Sequence, residues 1–374
     1  MKFTIEHSAL SNALAHVQNV VERRNTNPLL SNVKITVRED GITLNATDNE
    51  LEISEKIPSA SARVEEDGMI TAPAHKLYEI VRKLPTGSEI EIVLNAENKQ
   101  LKLTAGRSRF SLATIAGEDF PTIADGDMTH TFKMKSKDLA DLIGRTSFAA
   151  STEESRFYLN GIYLHETVAK EAHVLRAVAT DGHRLACAET ALPDGASGMP
   201  GIIIPRKAIA ELSKLLTDDE AEIEIALSTY KIRFVVGDLI LTSLLIEGTY
   251  PDYERVIPVD NGKILEVDAV ALTTVVDRVS SLSEKSRAVR LAIAGGVVKV
   301  SAANAEEGSA EDEIEAKYDA EPVDIGFNYV YLEDVLKQIK GGLVRIALSD
   351  SSSPTVLTDL SDPSVLFVLM PMRV

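Results

Sequence analysis

The sequence contains no tryptophan and a single cysteine, Cys187, among its 374 residues. One cysteine excludes a disulfide within the chain and a cysteine-rich metal site. Aromatic residues make up only 5% of the chain, so broad surfaces on which bases could stack are scarce. No run of about 18 or more apolar residues occurs, and "MKFTIEHSAL" does not have the pattern of a secretory signal. These absences predict a reduced, globular, cytoplasmic protein that does not enter a membrane.

Positive charge is also scarce. The chain has 39 Lys and Arg against 57 Asp and Glu, which gives a net charge of −18. Taken as an average, this charge argues against a nucleic-acid partner, because phosphate binding depends on Lys and Arg. An average can hide a separation of charges along the chain, so the position of the basic residues matters more than their number.

What the chain does contain is a threefold internal repeat. A strand pattern followed by a helix pattern occurs in "KFTIEHSALSNALAHVQ", "TFKMKSKDLADLIGRTS" and "ILEVDAVALTTVVDRVS". A strand, helix, turn and strand pattern recurs in "ITAPAHKLYEIVRKLPTGSEIEIVLN", "IIIPRKAIAELSKLLTDDEAEIEIALS" and "IGFNYVYLEDVLKQIKGGLVRIALSD". Alternating and helical apolar spacings distinguish the two kinds of element. The repeats predict three α+β domains, each with two helices packed on a sheet, at residues 1–125, 126–256 and 257–374.

The apolar end of the chain, "FVLMPMRV", occupies the place that "GEDFPTI" and "EGTYPDYERVIP" take in the first two repeats. Those two segments lead into the next repeat, whereas no repeat follows the third. Apolar termini are usually either packed into a core or held out for a partner. We expect Val368 and Leu369 to finish a strand. For residues 370–374 a strand end and a docking element both remain open.

The predicted helices are less acidic than the rest of the chain. Together they carry 13 Lys and Arg against 9 Asp and Glu, so the strands and loops hold the acidic excess. Ordinary solvated helix faces explain this pattern. Weak, sequence-independent binding to a polyanion also explains it. The helices are predicted at residues 8–24, 73–84, 136–147, 205–216, 268–282 and 329–340.

The segment "VLRAVATDGHRLACAE" holds a candidate acid/base pair, Asp181 and His183. Asp-Gly between two alternating runs is, however, a strong hairpin-turn signal. Thr47 and Asp48 stand at the same place in the first repeat, which favours a structural role for the Thr-Asp pair. The chain has no phosphate-binding loop of the GxxxxGK[ST] type, and its histidines lack ligand spacing. The sequence therefore predicts no catalytic residue, no metal and no cofactor.

Three motifs together identify a family. They are "ATDGHRLA" at 179–186, "YPDYERV" at 250–256 and "MPMR" at 370–373, and "MKFTIE", "GRSRFSL", "FYLNG" and "IPRK" agree with them. The ordered set resembles the bacterial DNA polymerase III subunit beta, the sliding clamp, over the whole chain. The resemblance implies a homodimer that forms a six-domain ring around duplex DNA, with the sheets outside and the helices lining the hole.

The number of helices agrees with a two-subunit ring. Twelve helices spaced about 10 Å apart give a circumference of about 120 Å. After about 5 Å of helix radius is taken off on each side, the hole is about 28 Å wide. A duplex about 20 Å across fits such a hole. The six helices of one subunit would leave only about 9 Å.

The resemblance also implies three sets of site residues. The first is a pocket that captures short peptides of the replicative polymerase alpha subunit, the clamp loader, and other polymerases and repair proteins. Its residues would be Leu159, Thr180, Gly182, His183, Arg184, Leu185, Pro251, Arg255, Val256, Val368, Leu369, Met370, Pro371, Met372 and Arg373. The DNA-facing residues would be Arg24, Lys76, Arg82, Lys83, Phe157, Tyr158, Arg206, Lys207 and Lys214. The subunit interface would use Phe110, Leu112 and Leu282.

The sequence departs from the family at two positions: Val374 stands where Leu is common, and Phe157 where Tyr is often found near DNA. The implied function is a processivity clamp without enzymatic activity. Two rival hypotheses remain. One is a hydrolase that uses Asp181 and His183, for which His183→Ala would abolish turnover. The other is a peptide-binding scaffold that never encircles DNA, which would tolerate neutralisation of Arg24, Lys207 and Lys214.

Overall fold

The computed structural model of the chain describes residues 1–22, 25–95, 99–124, 126–283, 286–304 and 306–373. The helices of this described part coincide with the six predicted helical segments. The largest difference is at the first helix, which ends at Val17, whereas the prediction extended it to Arg24. No helix in the described ranges is both long and apolar enough to cross a membrane. The helices are α1 (His7–Val17), α2 (Ala74–Val81), α3 (Ser136–Thr146), α4 (Arg206–Leu215), α5 (Ala269–Ser280) and α6 (Tyr329–Leu336).

Strands make up most of the remaining structure. The first third of the chain forms β1 (Lys2–Glu6), β2 (Asn32–Arg38), β3 (Gly41–Thr47), β4 (Leu51–Pro58), β5 (Ala62–Glu66), β6 (Gly68–Pro73), β7 (Glu89–Asn95), β8 (Gln100–Ala105) and β9 (Ser108–Ala113). The middle third forms β10 (His130–Lys135), β11 (Gly161–Ala169), β12 (Ala172–Thr180), β13 (Arg184–Ala191), β14 (Ile202–Pro205), β15 (Glu222–Leu227), β16 (Lys231–Val236) and β17 (Leu239–Leu244). The last third forms β18 (Lys263–Asp268), β19 (Ala288–Ala294), β20 (Val297–Asn304), β21 (Gly308–Glu315), β22 (Val323–Asn328), β23 (Leu343–Leu348), β24 (Thr355–Asp359) and β25 (Asp362–Leu369).

The chain divides into two compact units that do not follow the three repeats. The first unit comprises Met1–Lys137, Pro193–Met199 and Lys207–Leu245. The second comprises Asp138–Leu192, Pro200–Arg206 and Ile246–Val374. The middle repeat is therefore split, because β10 and β15 to β17 lie in the first unit and β11 to β14 lie in the second.

The first unit contains two antiparallel sheets, with strand orders β5-β1-β7-β8-β9 and β10-β15-β16-β17-β4-β3-β2-β6. In the larger sheet β17 pairs with β4, and Leu241 lies opposite Ile53. This pairing joins a strand of the middle repeat to a strand of the first repeat. Helix α1 packs on β3 and β4 through its apolar stripe, and Leu10 and Leu14 are fully buried. Full burial of one such side chain contributes about 1.5–3 kcal/mol to folding.

The second unit is built in the same way from the rest of the middle repeat and the third repeat. Its antiparallel sheets have strand orders β14-β11-β12-β13-β25-β24-β23-β18 and β21-β20-β19-β22. Here β13 pairs with β25, and Leu185 lies opposite Val368. Helices α5 and α6 pack on each other, and α5 packs on β19 to β21. Both units thus have helices packed on antiparallel sheets, which confirms the predicted α+β fold class.

The helix starts differ in how their first N–H groups are satisfied. Asp268 caps α5 by accepting a hydrogen bond from the N–H of Ala271 at 2.7 Å. Asn328 caps α6 by accepting one from Val330 at 3.0 Å. Glu6, which precedes α1, makes no such bond. Side-chain caps of this kind satisfy N–H groups that have no partner inside the helix.

Candidate binding pocket

The turn between β12 and β13 is held by its own side chains. The Thr180 hydroxyl accepts a hydrogen bond from the N–H of Gly182 at 3.1 Å and donates one to the Arg184 carbonyl at 2.7 Å. Asp181 Oδ1 accepts from the N–H groups of His183 and Arg184 at 2.9 and 3.0 Å. Gly182 has φ +88°, which glycine adopts without steric cost.

The same turn occurs in the first repeat. The Thr47 hydroxyl accepts from the N–H of Asn49 at 3.0 Å, and Asp48 Oδ1 accepts from Glu50 and Leu51 at 2.9 and 2.7 Å. Asn49, at the position of Gly182, also has a positive φ of 79°. The prediction that the repeated Thr-Asp pair is structural is therefore confirmed. Asp181, one member of the acid/base pair in the hydrolase hypothesis, is thus engaged in the turn.

Arg184 fixes this turn against α6. Its guanidinium donates to Asp334 Oδ2 at 2.6 Å, to the Phe148 carbonyl at 2.7 Å and to Asp181 Oδ2 at 3.2 Å. It also lies over the Tyr331 ring, 4.4 Å from the centroid. Only 11% of the side chain is exposed. A planar, always charged guanidinium can bond to several partners at once, so Arg184 has a structural role that holds the site together.

The segment after β17 is held on the sheet through Tyr253. His165 Nδ1 donates to the Glu166 carbonyl at 3.0 Å, so Nε2 of the neutral ring accepts the Tyr253 hydroxyl, also at 3.0 Å. Burial lowers the pKa of His165, which favours this neutral form. Arg176 donates to the same phenol oxygen at 3.0 Å. Burial raises the pKa of Tyr253 to about 12, so the phenol remains protonated.

The chain end completes the site. Strand β25 pairs with β13 and β24 as far as Leu369, so the prediction that Val368 and Leu369 finish a strand is confirmed. Beyond the strand, the Met370 N–H donates to the His183 carbonyl at 2.9 Å. The Met372 N–H donates to the Gly326 carbonyl at 2.9 Å. The backbone is thereby fixed while the Met370 side chain is 40% exposed.

These three segments enclose a surface cavity of about 260 Å³. Its base is a buried apolar cluster that includes Leu159, Leu185, Tyr253 and Val368. A mostly apolar wall with a few fixed polar groups is typical of ligand-binding pockets. The lining residues are Leu159, Thr180, Gly182, His183, Arg184, Leu185, Pro251, Asp252, Tyr253, Val256, Val368 and Met370.

Ten of the residues that the resemblance assigns to a pocket thus surround one cavity. Among the others, Leu369 is fully buried, and its side chain lies on the opposite face of β25 from Val368. Arg255 is 83% exposed and bonds to Asp252 at 2.7 Å. Arg373 lines a different cavity, over the outer face of β19 to β22. The five assigned residues that do not line the cavity are Arg255, Leu369, Pro371, Met372 and Arg373.

The sequence analysis missed Asp252 and Tyr253, which line the cavity. Both lie inside the motif "YPDYERV". Three of the seven residues of this motif are charged, so it gave no clear sequence signal that the Tyr253 ring lines an apolar wall while its hydroxyl is hydrogen-bonded. Metal binding is not indicated at this site or elsewhere in the described ranges, where no three His, Cys, Asp or Glu residues are placed to hold an ion.

The predicted DNA-facing residues are exposed or half-buried where the structure describes them. Arg24 lies outside the described residues. In the first unit, three of them lie on α2 or just after it, and two lie on α4. In the second unit, Phe157 is 53% exposed and meets Tyr158 edge-on at 5.7 Å. The first-unit residues are Lys76, Arg82, Lys83, Lys207 and Lys214, and the second-unit residues are Phe157, Tyr158 and Arg206.

Two of the three predicted interface residues lie on an edge strand, and the third lies just after a helix. Phe110 and Leu112 are on β9, the edge strand of the five-stranded sheet, and Phe110 is 38% exposed. Leu282 follows α5 directly and is half-buried. An exposed apolar side chain on a free strand edge is unusual unless another chain covers it.

Repeated two-helix domains, sheets that run through consecutive repeats and an apolar cavity beside the last strand define a clamp-fold protein. The family models agree with this class. The N-terminal, central and C-terminal domains of the DNA polymerase III beta subunit match residues 1–124, 133–252 and 254–373. The chain belongs to the DNA polymerase III beta subunit family, the beta sliding clamps.

Relatives and solved structures are similar over full length. The beta sliding clamp of Caulobacter vibrioides is 47% identical and that of Escherichia coli 38% identical, each with 100% of both chains covered. A Caulobacter crescentus clamp structure with polyethylene glycol bound has a TM-score of 0.97 at 46% identity, covering 100% of this chain and 99% of the other. A Bartonella birtlesii clamp bound to griselimycin has a TM-score of 0.96 at 44% identity, with both chains fully covered.

Proposed function

We propose that two copies of the chain close into a ring of six domains around duplex DNA and tether DNA polymerases to it. The domains would be residues 1–125, 126–256 and 257–374. The ring would carry no catalytic residue, metal or cofactor, and ATP would be used by the clamp loader. Because bacterial DNA is replicated in the cytoplasm, the protein would act there. Membership of the sliding-clamp family supports this function.

Two strand edges support the dimer. Strands β9 and β21 each lie at the end of a sheet, and each pairs with one neighbour in the described part of the chain. Arg107 and Arg109 precede Phe110 at the β9 edge, whereas β21 reads "GSAEDEIE". Edge strands of opposite charge can extend one sheet into another by β-augmentation. We infer that β9 of one subunit meets β21 of the other.

The cavity carries the proposal that partners bind through short peptides. It is apolar, it lies at the surface, and its wall includes Met370, a flexible side chain that adapts to varied ligands. His183 at its border stacks on Tyr331 with centroids 6.0 Å apart, which places a polar ring beside the apolar wall. A pocket of this kind would accept segments of the polymerase alpha subunit, the clamp loader, and other polymerases and repair proteins.

Topology and tethering together would give processivity. A closed ring needs no sequence-specific contact, and weak phosphate contacts leave it free to slide. A polymerase held through a flexible peptide has a high effective concentration at the primer end. The predicted DNA-facing cations would supply those weak contacts from the helix surface.

Retention on DNA tests the ring. The protein is loaded by a compatible clamp loader with ATP onto a nicked circular plasmid, half of which is then cut to linear form. We expect retention in high salt on the circle and loss from the linear ends. Equal loss from both forms, while a control clamp stays on the circle, would exclude the ring. Retained binding of a polymerase-derived peptide would then favour the scaffold hypothesis.

A further inference from the structure

Each lysine that is predicted to face DNA in the first unit is paired with a carboxylate. Lys76 and Lys83 donate to the two oxygens of Glu79 at 2.6 and 2.9 Å. Lys214 donates to both oxygens of Glu211 at 2.8 Å. These pairs join neighbours three or four residues apart on α4 and on α2 with the turn that follows it, a spacing that brings side chains together on a helix surface.

The fourth lysine pairs over a longer sequence distance. Lys207, at the start of α4, forms an ion pair with Asp48 in the first-repeat turn, and its Nζ lies 3.5 Å from the Val20 carbonyl. The Asp48 side chain is only 8% exposed and that of Glu211 only 11%, so these two carboxylates are built into the surface. The lysines themselves are 43–64% exposed and remain accessible to a ligand.

The third carboxylate is exposed but stays charged. Lys76 and then Lys83 lower the pKa of Glu79 to about 2 through hydrogen bonds. Glu79 is therefore ionised throughout the physiological range. Any phosphate that approaches these lysines meets a competing anion already in contact with them.

We propose that Glu79, Asp48 and Glu211 restrain the DNA-facing lysines, so that phosphates compete with carboxylates and the ring holds DNA only weakly. This inference rests on the proposed function, because it takes the lysines to face DNA. Exposed ion pairs are weak and can be exchanged for a phosphate contact. Each time a phosphate displaces a carboxylate from a lysine, the released negative charge stays close to the duplex. Its repulsion of the phosphate shortens the lifetime of the contact and allows the protein to move along the DNA backbone.

Isosteric neutralisation tests the inference. Glu79→Gln, Glu211→Gln and Asp48→Asn each remove the competing charge while an acceptor oxygen is kept. Affinity for a short fluorescent duplex is measured by anisotropy over a salt series. One further phosphate contact should steepen the slope of log affinity against log salt by about 0.9. Over a fourfold range of salt this corresponds to about a 3-fold larger change in affinity. Glu79→Gln frees two lysines and should have about twice the effect of the other two variants.

Glu222→Gln is the matched control. Glu222 accepts from Lys133 at 2.7 Å across β15 and β10, on a surface that is not predicted to face DNA. The variant breaks one lysine–carboxylate pair and changes the net charge by the same amount. Its slope should stay at the wild-type value. If the slope steepens equally in Glu222→Gln and Glu79→Gln, net charge alone explains the effect and the inference is overturned.

Lysine variants separate failure of the inference from failure of the proposed function. Lys76→Gln and Lys83→Gln should both make the slope of log affinity against log salt shallower if these residues contact DNA. If they leave it unchanged, the predicted DNA-facing surface is wrong. If the lysine variants make the slope shallower while Glu79→Gln does not make it steeper, the predicted DNA-facing surface is right and the proposed restraint by carboxylates is wrong. Because Glu79 lies on the helix surface, the decisive comparison does not depend on the turn that Asp48 supports.

Discussion

Two arginines that the resemblance assigns to one pocket have opposite surroundings. Arg184 is almost enclosed and holds Asp334, Asp181 and the Phe148 carbonyl together. Arg255 projects into solvent and meets only Asp252 among the contacts described above. The same side chain therefore supports the structure at one position and remains available to a partner at the other.

Truncation should separate these two roles. Arg184→Ala removes three hydrogen bonds and leaves Asp334 with only the longer ion pair to Lys337 at 3.7 Å among the described residues, so we expect a loss of about 2–4 kcal/mol in stability. Arg255→Ala removes an exposed pair and should change stability by no more than about 0.5 kcal/mol. Thermal unfolding of the second unit, followed by a probe near the cavity, measures both. Equal losses of stability in the two variants would contradict the structural role assigned to Arg184.

His16 makes one contribution to stability depend on pH. Its Nδ1 lies 2.8 Å from Glu55 Oε2, and this hydrogen bond raises the pKa of His16 above its ordinary value near 6.5. A raised folded-state pKa means that the contribution is fully present below about pH 6.5 and is lost as pH rises through the higher folded value. The difference in unfolding midpoint between wild type and the His16→Gln variant should therefore shrink as pH rises. A constant difference would show that the ion pair is not responsible.

At the scale of elements, helix starts offer a controlled comparison. Asp268→Ala and Asn328→Ala each remove a side-chain cap from α5 and α6, and each should cost about 1 kcal/mol. Glu6→Ala at the start of α1 removes no cap bond and should cost clearly less. Denaturant unfolding of the three variants tests this order. A cost for Glu6→Ala as large as the other two would refute the role of the caps.

Local elements were predictable because their signals are local. The apolar spacing of α1 to α6 gave each helix, and the repeated Thr-Asp pair gave the turns at Asp48 and Asp181. Helix α1 is shorter than predicted, because apolar residues such as Val20 continue beyond it and remain buried without being helical. Periodicity describes which residues are buried, and burial does not require a helix.

Non-local pairing could not be predicted from the repeat. Nothing in the sequence of β4 or β25 indicates that its neighbour is β17 or β13, since register between distant strands is set by packing. The cavity depends on that register, because it brings the "TDGHRL" turn beside the last strand. The motifs therefore predicted most of the lining by resemblance, whereas Tyr253, which is held by His165 and Arg176, required the structure.

For the whole molecule, the two strand edges would govern assembly of the proposed dimer. Phe110→Asp places a charge on the exposed apolar position of β9, where in the proposed dimer it would face the acidic β21 of the second copy. We expect the proposed dimer to dissociate and retention on circular DNA to be lost. Sedimentation velocity measures the first effect and the plasmid experiment the second. Val168→Asp, at an exposed apolar position on β11 outside the proposed interface, should leave the dimer intact; dissociation in both variants would refute the edge assignment.

The strand pairs β17–β4 and β13–β25 also constrain how such a chain can evolve. Five residue pairs join the repeats at each of these two places. A gene fragment cut at either linker would encode a repeat with one bare strand edge, which invites aggregation. Duplication can produce three similar copies, but after they pair in this way none can be exchanged alone. Recombination between related clamps must therefore preserve matching strand edges as well as a compatible linker.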